Sequence, residues 1–185
     1  MSDLHDLSGE KKEQLLILTD KKGNQIGSSS RESCHQGRGI THLAFMAFIF
    51  DRQNNLIIAR RSKNKSLWAS FWDATVVSHV LPGETLIGAA NRRGKEEMGV
   101  YLEFKDIGAF YYFEKFNGNS ENEYCHVLIG TAEKDVEFNP VEIDAVRKIR
   151  IENLLKEIRL NPGFFTPWLK IAVENKRIES KLRIS

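Results

Sequence analysis

Gly83-Glu84-Thr85-Leu86-Ile87-Gly88-Ala89-Ala90-Asn91-Arg92-Arg93-Gly94-Lys95-Glu96-Glu97-Met98-Gly99-Val100 is the run whose reading decides the fold. Thr85 to Met98 reads as a helix, and Gly99 stops it because glycine tolerates the left-handed conformation that ends helices. Glu84 precedes the first turn, where the helix dipole favours a carboxylate. Arg93 and Glu97 are four apart and share one helical face. Two readings fit such a helix. One is a solvated surface helix laced with intrahelical ion pairs. The other is one wall of a metal–diphosphate site. Magnesium takes hard oxygens from one or two carboxylates and from phosphates, and arginine grips phosphate oxygens in pairs.

Outward from this helix the chain alternates short apolar runs with polar turns. Upstream, His79 to Glu84 reads as a loop and Thr75 to Val77 as a short buried strand. Arg60, Arg61, Lys63 and Lys65 make Arg60–Ser66 sharply basic, with Trp68, Phe71 and Trp72 following. Thr41–Phe50 is a strongly apolar strand that returns through Leu56–Ala59. Gln14–Thr19 and Gln25-Ile26 are shorter strands. Ser28 to Gly39 is a polar loop in which Gly37 and Gly39 disfavour a stable helix. Downstream, Tyr101–Phe116 and Tyr124–Ala132 form a hairpin around Asn117-Gly118-Asn119. Val146–Ile151 is a further strand and the segment to Ile158 an amphipathic helix. A last helix runs from Pro167 to about Lys181. The sum is α+β, mostly antiparallel, with helices outside.

The 185 residues fit one domain with a frayed segment at residues 1–13. Hydrophobic residues are 41% and charged residues 28%, and 18 aromatic side chains (11 Phe, 3 Trp, 4 Tyr) feed a core, which excludes disorder as the main state. A net charge of +2 is too balanced for nucleic-acid binding by bulk charge, so any anion site is a local cluster. Two cysteines make no disulfide framework, and a reduced cytoplasmic setting is expected. The acidic start lacks the apolar core of a secretory signal, the end carries no lipidation box, and the longest apolar run, Leu43–Phe50, is far short of a membrane span.

The quoted run resembles the Nudix box: Gly, five residues, Glu, seven residues, Arg-Glu-apolar-any-Glu-Glu-any-Gly-apolar. Glu84, Arg92, Glu96, Glu97, Gly99 and Val100 fit. Ser78, Arg93 and Gly94 depart, and Arg93 stands where Nudix hydrolases carry a metal-binding glutamate. The rest of the chain is similar to one Nudix branch, the type I isopentenyl-diphosphate isomerases, which tend to carry Arg-Arg at this place. The similarity lies in His42-Leu43-Ala44-Phe45, Arg60-Arg61 with Lys65 and Trp68, Trp72, His79 with Gly83-Glu84, Arg92-Arg93, Glu97 to Val100, Glu121-Asn122-Glu123 and Phe165-Thr166-Pro167-Trp168, in this order and spacing. The resemblance implies a Nudix fold, an α/β/α sandwich with a mixed sheet. It implies metal-dependent interconversion of isopentenyl and dimethylallyl diphosphates in isoprenoid biosynthesis. The expected partner is that small-molecule diphosphate, with no nucleic acid and no membrane, and the chain is expected as a monomer or weak homodimer.

Carried over residue by residue, the resemblance implies that His35, His42, His79, Glu121 and Glu123 hold a divalent metal. Manganese or zinc is expected there, and magnesium, with Glu97, at the diphosphate. It assigns Arg31, Arg61, Lys65 and Arg92 to the phosphates, and Trp68 and Trp168 to an apolar wall. The i, i+2 spacing of Glu121 and Glu123 independently puts both carboxylates on one side of an extended segment. Isomerisation adds a proton to one carbon and removes one from another. The resemblance gives one role to Glu123, with Tyr112 beside it. The other falls on a cysteine whose position here is Val77, and valine moves no proton. Three readings stay open. Another group among Cys34, Cys125, Ser78, Tyr111 and Tyr112 substitutes in an isomerase. Alternatively, metal-activated water cleaves nucleoside or other diphosphates in a hydrolase, or the chain binds diphosphate without turnover.

Overall fold

The structure is a computed structural model that describes residues 11–183. The expectation of fraying at residues 1–13 lies mostly outside the described residues. Gln14 N donates to the Lys11 carbonyl (3.2 Å) and Glu32 N to the Lys12 carbonyl (3.1 Å), so the segment after residue 10 is tied to the chain that follows it.

The strands are β1 (Leu15–Thr19), β2 (Gln25–Ser30), β3 (His42–Phe50), β4 (Leu56–Arg61), β5 (Trp72–Asp73), β6 (Val76–His79), β7 (Lys105–Phe116), β8 (Asn119–Thr131) and β9 (Ile143–Ile149). The helices are α1 (Arg31–His35), α2 (Leu86–Met98), α3 (Ile151–Leu160), α4 (Pro167–Glu174) and α5 (Lys176–Leu182). All nine residues of β3 are buried, as expected of a strand covered on both faces. One edge of β3 pairs in parallel with β8 along its whole length; the other meets β1, β6 and β4 in turn, each antiparallel. The sheet is therefore mixed. Ala44, Met46, Phe48 and Phe50 face a core closed by α3, α4 and α5. Leu43, Phe45, Ala47 and Ile49 face a second core that includes Ala89, Ala90 and Met98 of α2. Helices thus cover both faces, as the resemblance implied.

Four local expectations need correction. Ser28–Ser30 belong to β2, and a short helix, α1, follows where a loop was expected. Ser30 caps it by accepting from Ser33 N (3.2 Å), and the helix ends before Gly37 and Gly39, which therefore delimit it rather than forbid it. Gly39 has φ +59, and a Cβ there would lie 2.2 Å from the Cys34 carbonyl oxygen, so the backbone leaving α1 passes over its end too closely for a side chain. His79 ends β6 instead of opening a loop, and β8 begins at Asn119, taking in Glu121 and Glu123. Polar site residues masked both strand ends. The final helix divides at Asn175, whose side chain accepts from Arg177 N (3.1 Å) and caps α5. Elsewhere α2 is capped as read: Thr85 accepts from Gly88 N (3.0 Å), and Gly99 takes φ +65.

A single buried hydroxyl ties three strand segments together. Thr75 Oγ1 accepts from Ile49 N of β3 (2.9 Å) and donates to the Ile57 carbonyl of β4. Thr75→Val keeps the shape but strands both backbone groups, a loss of about 1–3 kcal/mol in denaturant unfolding. Thr75→Ser, which keeps the hydroxyl, is expected to lose less, and equal losses for the two variants would sink this account.

Candidate metal centre and its pocket

The parallel register of β3 and β8 sets His42 beside Glu123, and the β7–β8 hairpin sets Tyr112 on the other side of Glu123. β6 pairs His79 with Ala44, two residues along β3 from His42 and on the same face. Glu121 shares the face of Glu123, and α1 brings His35 over the end of the sheet. The outcome is one cluster: His35, His42, His79, Glu121 and Glu123 are all buried, and one ligand atom from each lies within 4.8 Å of the others. The three imidazole centroids are 4.8, 5.0 and 5.2 Å apart.

Backbone carbonyls set two of the rings. His35 Nδ1 lies 2.7 Å from the Arg31 carbonyl, and His42 Nδ1 lies 2.7 Å from the Ile40 carbonyl. A carbonyl only accepts, so each Nδ1 carries the proton and each Nε2 presents a lone pair inward. His79 differs. Arg31 Nη1 donates to its Nδ1 (2.8 Å), which places its proton on Nε2, 3.0 Å from Glu123 Oε1. His35 Nε2, His42 Nε2 and Glu121 Oε2 are buried without a hydrogen-bond partner, although His35 and Glu121 approach to 3.1 Å. Each such orphan costs about 1–3 kcal/mol unless something satisfies it. A mixed nitrogen–oxygen set of five, four with inward lone pairs and His79 able to offer its own by a change of tautomer, fits a divalent cation.

Electrostatics agree with that fit. Burial holds His79 neutral, well below its ordinary pKa, helped by Arg31. Burial also opposes charge on His35, but Glu121 outweighs it and leaves its pKa raised. Glu123 would be raised by burial, yet the His42 imidazole 3.4 Å away and the Tyr112 hydrogen bond bring it below the usual carboxylate value. Tyr112 Oη donates to Glu123 Oε2, and burial with the Glu123 charge pushes that phenol well up, so it remains a donor.

Beside the cluster opens a pocket of about 630 Å³, lined among others by Arg31, His35, Arg61, Lys65, Leu67 and Glu121. That size suits a small-molecule ligand. Arg31, Arg61 and Lys65 line this pocket beside the five-group cluster. Other expected residues lie elsewhere. Arg92 forks onto Glu84 (2.6 and 3.0 Å) and is not among the residues lining the pocket. Glu97 is outside the five-group cluster. It pairs with Arg93, which is fully buried and also meets Glu96 (2.7 Å) and Glu142 (3.3 Å). Arg93 and Glu97 thus belong to a buried ion-pair hub, while Lys95 and Glu96 face solvent. Trp68 and Trp168 are 4% and 1% exposed and pack edge to face in the core, so neither is a wall of this pocket.

Val77 is half-buried in β6, two residues before His79 on the same face. Each of the alternatives weighed for the missing proton is buried or engaged elsewhere in this structure. Ser78 points to the opposite layer, paired with Phe45. Tyr111 packs under the Lys21 ammonium, 4.8 Å from its ring. Cys34 is fully buried in α1, and burial pushes its thiol up to about 11. Cys125 shares the face of Glu123, but burial holds it protonated, and its thiol faces the His126 carbonyl at 3.6 Å. Two buried carboxylates escaped the sequence reading, Asp73 and Glu142. Asp73 is legible in hindsight as the one charge in Phe71-Trp72-Asp73-Ala74-Thr75-Val76-Val77; nothing marks Glu142.

Comparison with known proteins agrees with this architecture. The NUDIX domain family matches residues 40–169. An isopentenyl-diphosphate Delta-isomerase of Haloarcula marismortui is 34% identical over 183 residues, covering 93% of this chain and 96% of that protein. The isopentenyl-diphosphate Delta-isomerase 2 of Photorhabdus laumondii is 35% identical over 159 residues, covering 85% and 89%. Among solved structures, a protein of Deinococcus radiodurans superposes with a TM-score of 0.66 at 25% identity, covering 83% of this chain and 92% of that one. A MutT protein of Methanosarcina mazei shares the fold at a TM-score of 0.60 and 20% identity. With a Nudix match over most of its length and relatives of this kind along nearly all of it, the chain belongs to the isopentenyl-diphosphate Delta-isomerase family of the Nudix superfamily.

Proposed function

We propose that the chain interconverts isopentenyl and dimethylallyl diphosphates with a divalent metal held by His35, His42, His79, Glu121 and Glu123. The observation that carries this is the convergence of those five buried groups beside a pocket lined by Arg31, Arg61 and Lys65. Manganese or zinc suits the mixed ligand set, and magnesium suits the diphosphate, with Glu97 as the carboxylate that the resemblance assigns to it. The bound metal supplies positive charge that fixes Glu121 and Glu123 and screens a dense anion. Ligation through Nε2 would require His79 to carry its proton on Nδ1 instead, so metal uptake would switch its tautomer and turn Arg31 Nη1 away from that nitrogen. Arg31, Arg61 and Lys65 grip phosphate oxygens. Glu123, ionised and hydrogen-bonded by Tyr112, takes or returns a proton at the carbon next to the diphosphate-bearing one. The protein works as a monomer or weak homodimer in the cytoplasm. Among the described residues no helix is long and apolar enough to cross a membrane.

Manganese at 100 times its Kd is expected to stabilise the protein by about 2.7 kcal/mol, read as a rise in Tm. His42→Gln should abolish the rise. His126→Gln should not, because His126 lies apart, 2.8 Å from Asp106. An unchanged rise in the His42 variant would remove the metal assignment.

In deuterated water with manganese, magnesium and isopentenyl diphosphate, the protein is expected to yield deuterium-labelled dimethylallyl diphosphate. Glu123→Gln should slow this by about 10²–10⁴-fold, the usual worth of a general acid or base. Release of inorganic phosphate without isomer would point to a hydrolase. Tight metal-dependent diphosphate binding with no product would point to the non-catalytic reading that Val77 favours.

A further inference from the structure

We infer that Glu142 is a positioning residue for the diphosphate, holding the Lys65 ammonium at the edge of the pocket where phosphate oxygens are to be met; this deepens the isomerase reading and rests on its diphosphate site. Lysine is a compact charge on a flexible four-carbon stem, so its grip on an anion depends on what fixes the stem. The Lys65 side chain is 9% exposed and that of Glu142 1%. A lysine so buried needs a partner. Lys65 Nζ forms an ion pair with Glu142 Oε2, and both residues line the large pocket beside the five-group cluster.

Glu142 is itself held from several sides. Its other oxygen, Oε1, meets Arg93 Nη2 at 3.3 Å, and Arg93 is fully buried and fixed by Glu96 and Glu97 as well. Its carbonyl accepts from Ser62 N (3.0 Å), and Lys65 N donates to the Ser62 carbonyl (3.1 Å), so the two partners are tied through the backbone also. Its own N donates to the Asn139 carbonyl (3.1 Å), and Asn139 N donates to the Glu97 carbonyl of α2 (2.8 Å). The pairing of β4 with β9 sets Arg61 beside Ile143 and so fixes Glu142 next to the basic segment. The carboxylate is thus a rigid post, and the lysine a flexible arm fastened to it.

Two effects of opposite sign follow. The Glu142 charge competes with phosphate for Lys65, and it also removes the freedom of the stem before the anion arrives. Ordering a long side chain weakens binding, and preorganisation avoids that cost. An ammonium carries three donors, so Lys65 can keep Glu142 and still take a phosphate oxygen. Arg93 draws on the same carboxylate and offsets its charge. Positioning therefore outweighs competition. Arg61 is arranged alike: its guanidinium donates to the Leu67 carbonyl (3.2 and 2.9 Å) and to Asp73 Oδ2 (3.3 Å). Both cations have a buried carboxylate behind them.

Binding of inorganic pyrophosphate with manganese and magnesium present, read by calorimetry, tests this on wild type, Glu142→Gln, Glu142→Asp, Lys65→Met and the Glu142→Gln/Lys65→Met pair. KM and kcat come from the deuterium assay, and the manganese-induced rise in Tm reports that each variant folds. Glu142→Gln is expected to weaken pyrophosphate about ten-fold and to raise KM alike, with a smaller change in kcat. Glu142→Asp, which keeps the charge on a shorter arm, should fall between it and wild type. Lys65→Met should lose at least as much, and adding Glu142→Gln should cost nothing more, because Glu142 acts through Lys65. Unchanged or tighter pyrophosphate binding in Glu142→Gln overturns the inference, the latter by showing that competition wins. Losses that add in the pair overturn it too and make Glu142 a prop of the Arg93 cluster only. Should Glu142→Gln not fold, the same cycle run with Glu142→Asp decides. A wild type that binds pyrophosphate without isomerising overturns the isomerase reading and leaves this inference to the cycle; one that binds no pyrophosphate overturns the inference.

Discussion

The parallel, in-register pairing of β3 with β8 is the constraint on which the rest depends. It seats His42 beside Glu123 over nine consecutive partner pairs, so neither can move along its strand without turning every neighbouring side chain to the wrong layer. Phe45, Phe48 and Ile49, all fully buried, make such a slip prohibitive. The apolar strand that builds the two cores therefore also aligns the polar end where the five His and Glu side chains converge. Only His35 comes from outside the sheet, and a short helix capped by Ser30 carries it.

The α2 helix illustrates how one sequence pattern serves two ends. In its first reading the Arg92–Glu97 charges could line a metal–diphosphate site or simply face water. The structure does neither in full. Arg93 is 0% exposed, and its guanidinium joins Glu96, Glu97 and Glu142. Burying a cation is tolerable only where carboxylates surround it, and removing one partner from such a group is far costlier than never having built it. Glu142 in turn pairs with Lys65, so the helix is linked electrostatically to the basic rim of the pocket.

Much of this was legible in the chain. Apolar runs marked β3, β4 and β7, and Thr85 with Gly99 marked both ends of α2. The five ligands were read from resemblance, with only the Glu121–Glu123 spacing carrying independent physical weight. What escaped reading shares a cause. Strand ends occupied by functional residues, such as His79 and Glu121, look like loops because their side chains are polar for the sake of the site. The tryptophans read as a pocket wall turned out to be core, since a large ring fits either place and its indole N–H needs a partner in both; here Asp73 provides it for Trp168. Long-range ion pairs such as Arg93–Glu142 leave no local trace, being set by topology alone.

Gly39 has an effect beyond its own turn. The polypeptide that leaves α1 crosses the Cys34 carbonyl at a separation no other amino acid tolerates, and three residues later it enters β3 at His42. His35 and His42 are thus tethered by a six-residue span whose tightest point is pinned. The 4.8 Å separation of the two imidazoles is thus held by a backbone crossing as well as by the packing of either ring. The spacing of these two rings is to that extent a property of chain path, open to change by loop length as much as by substitution of either histidine.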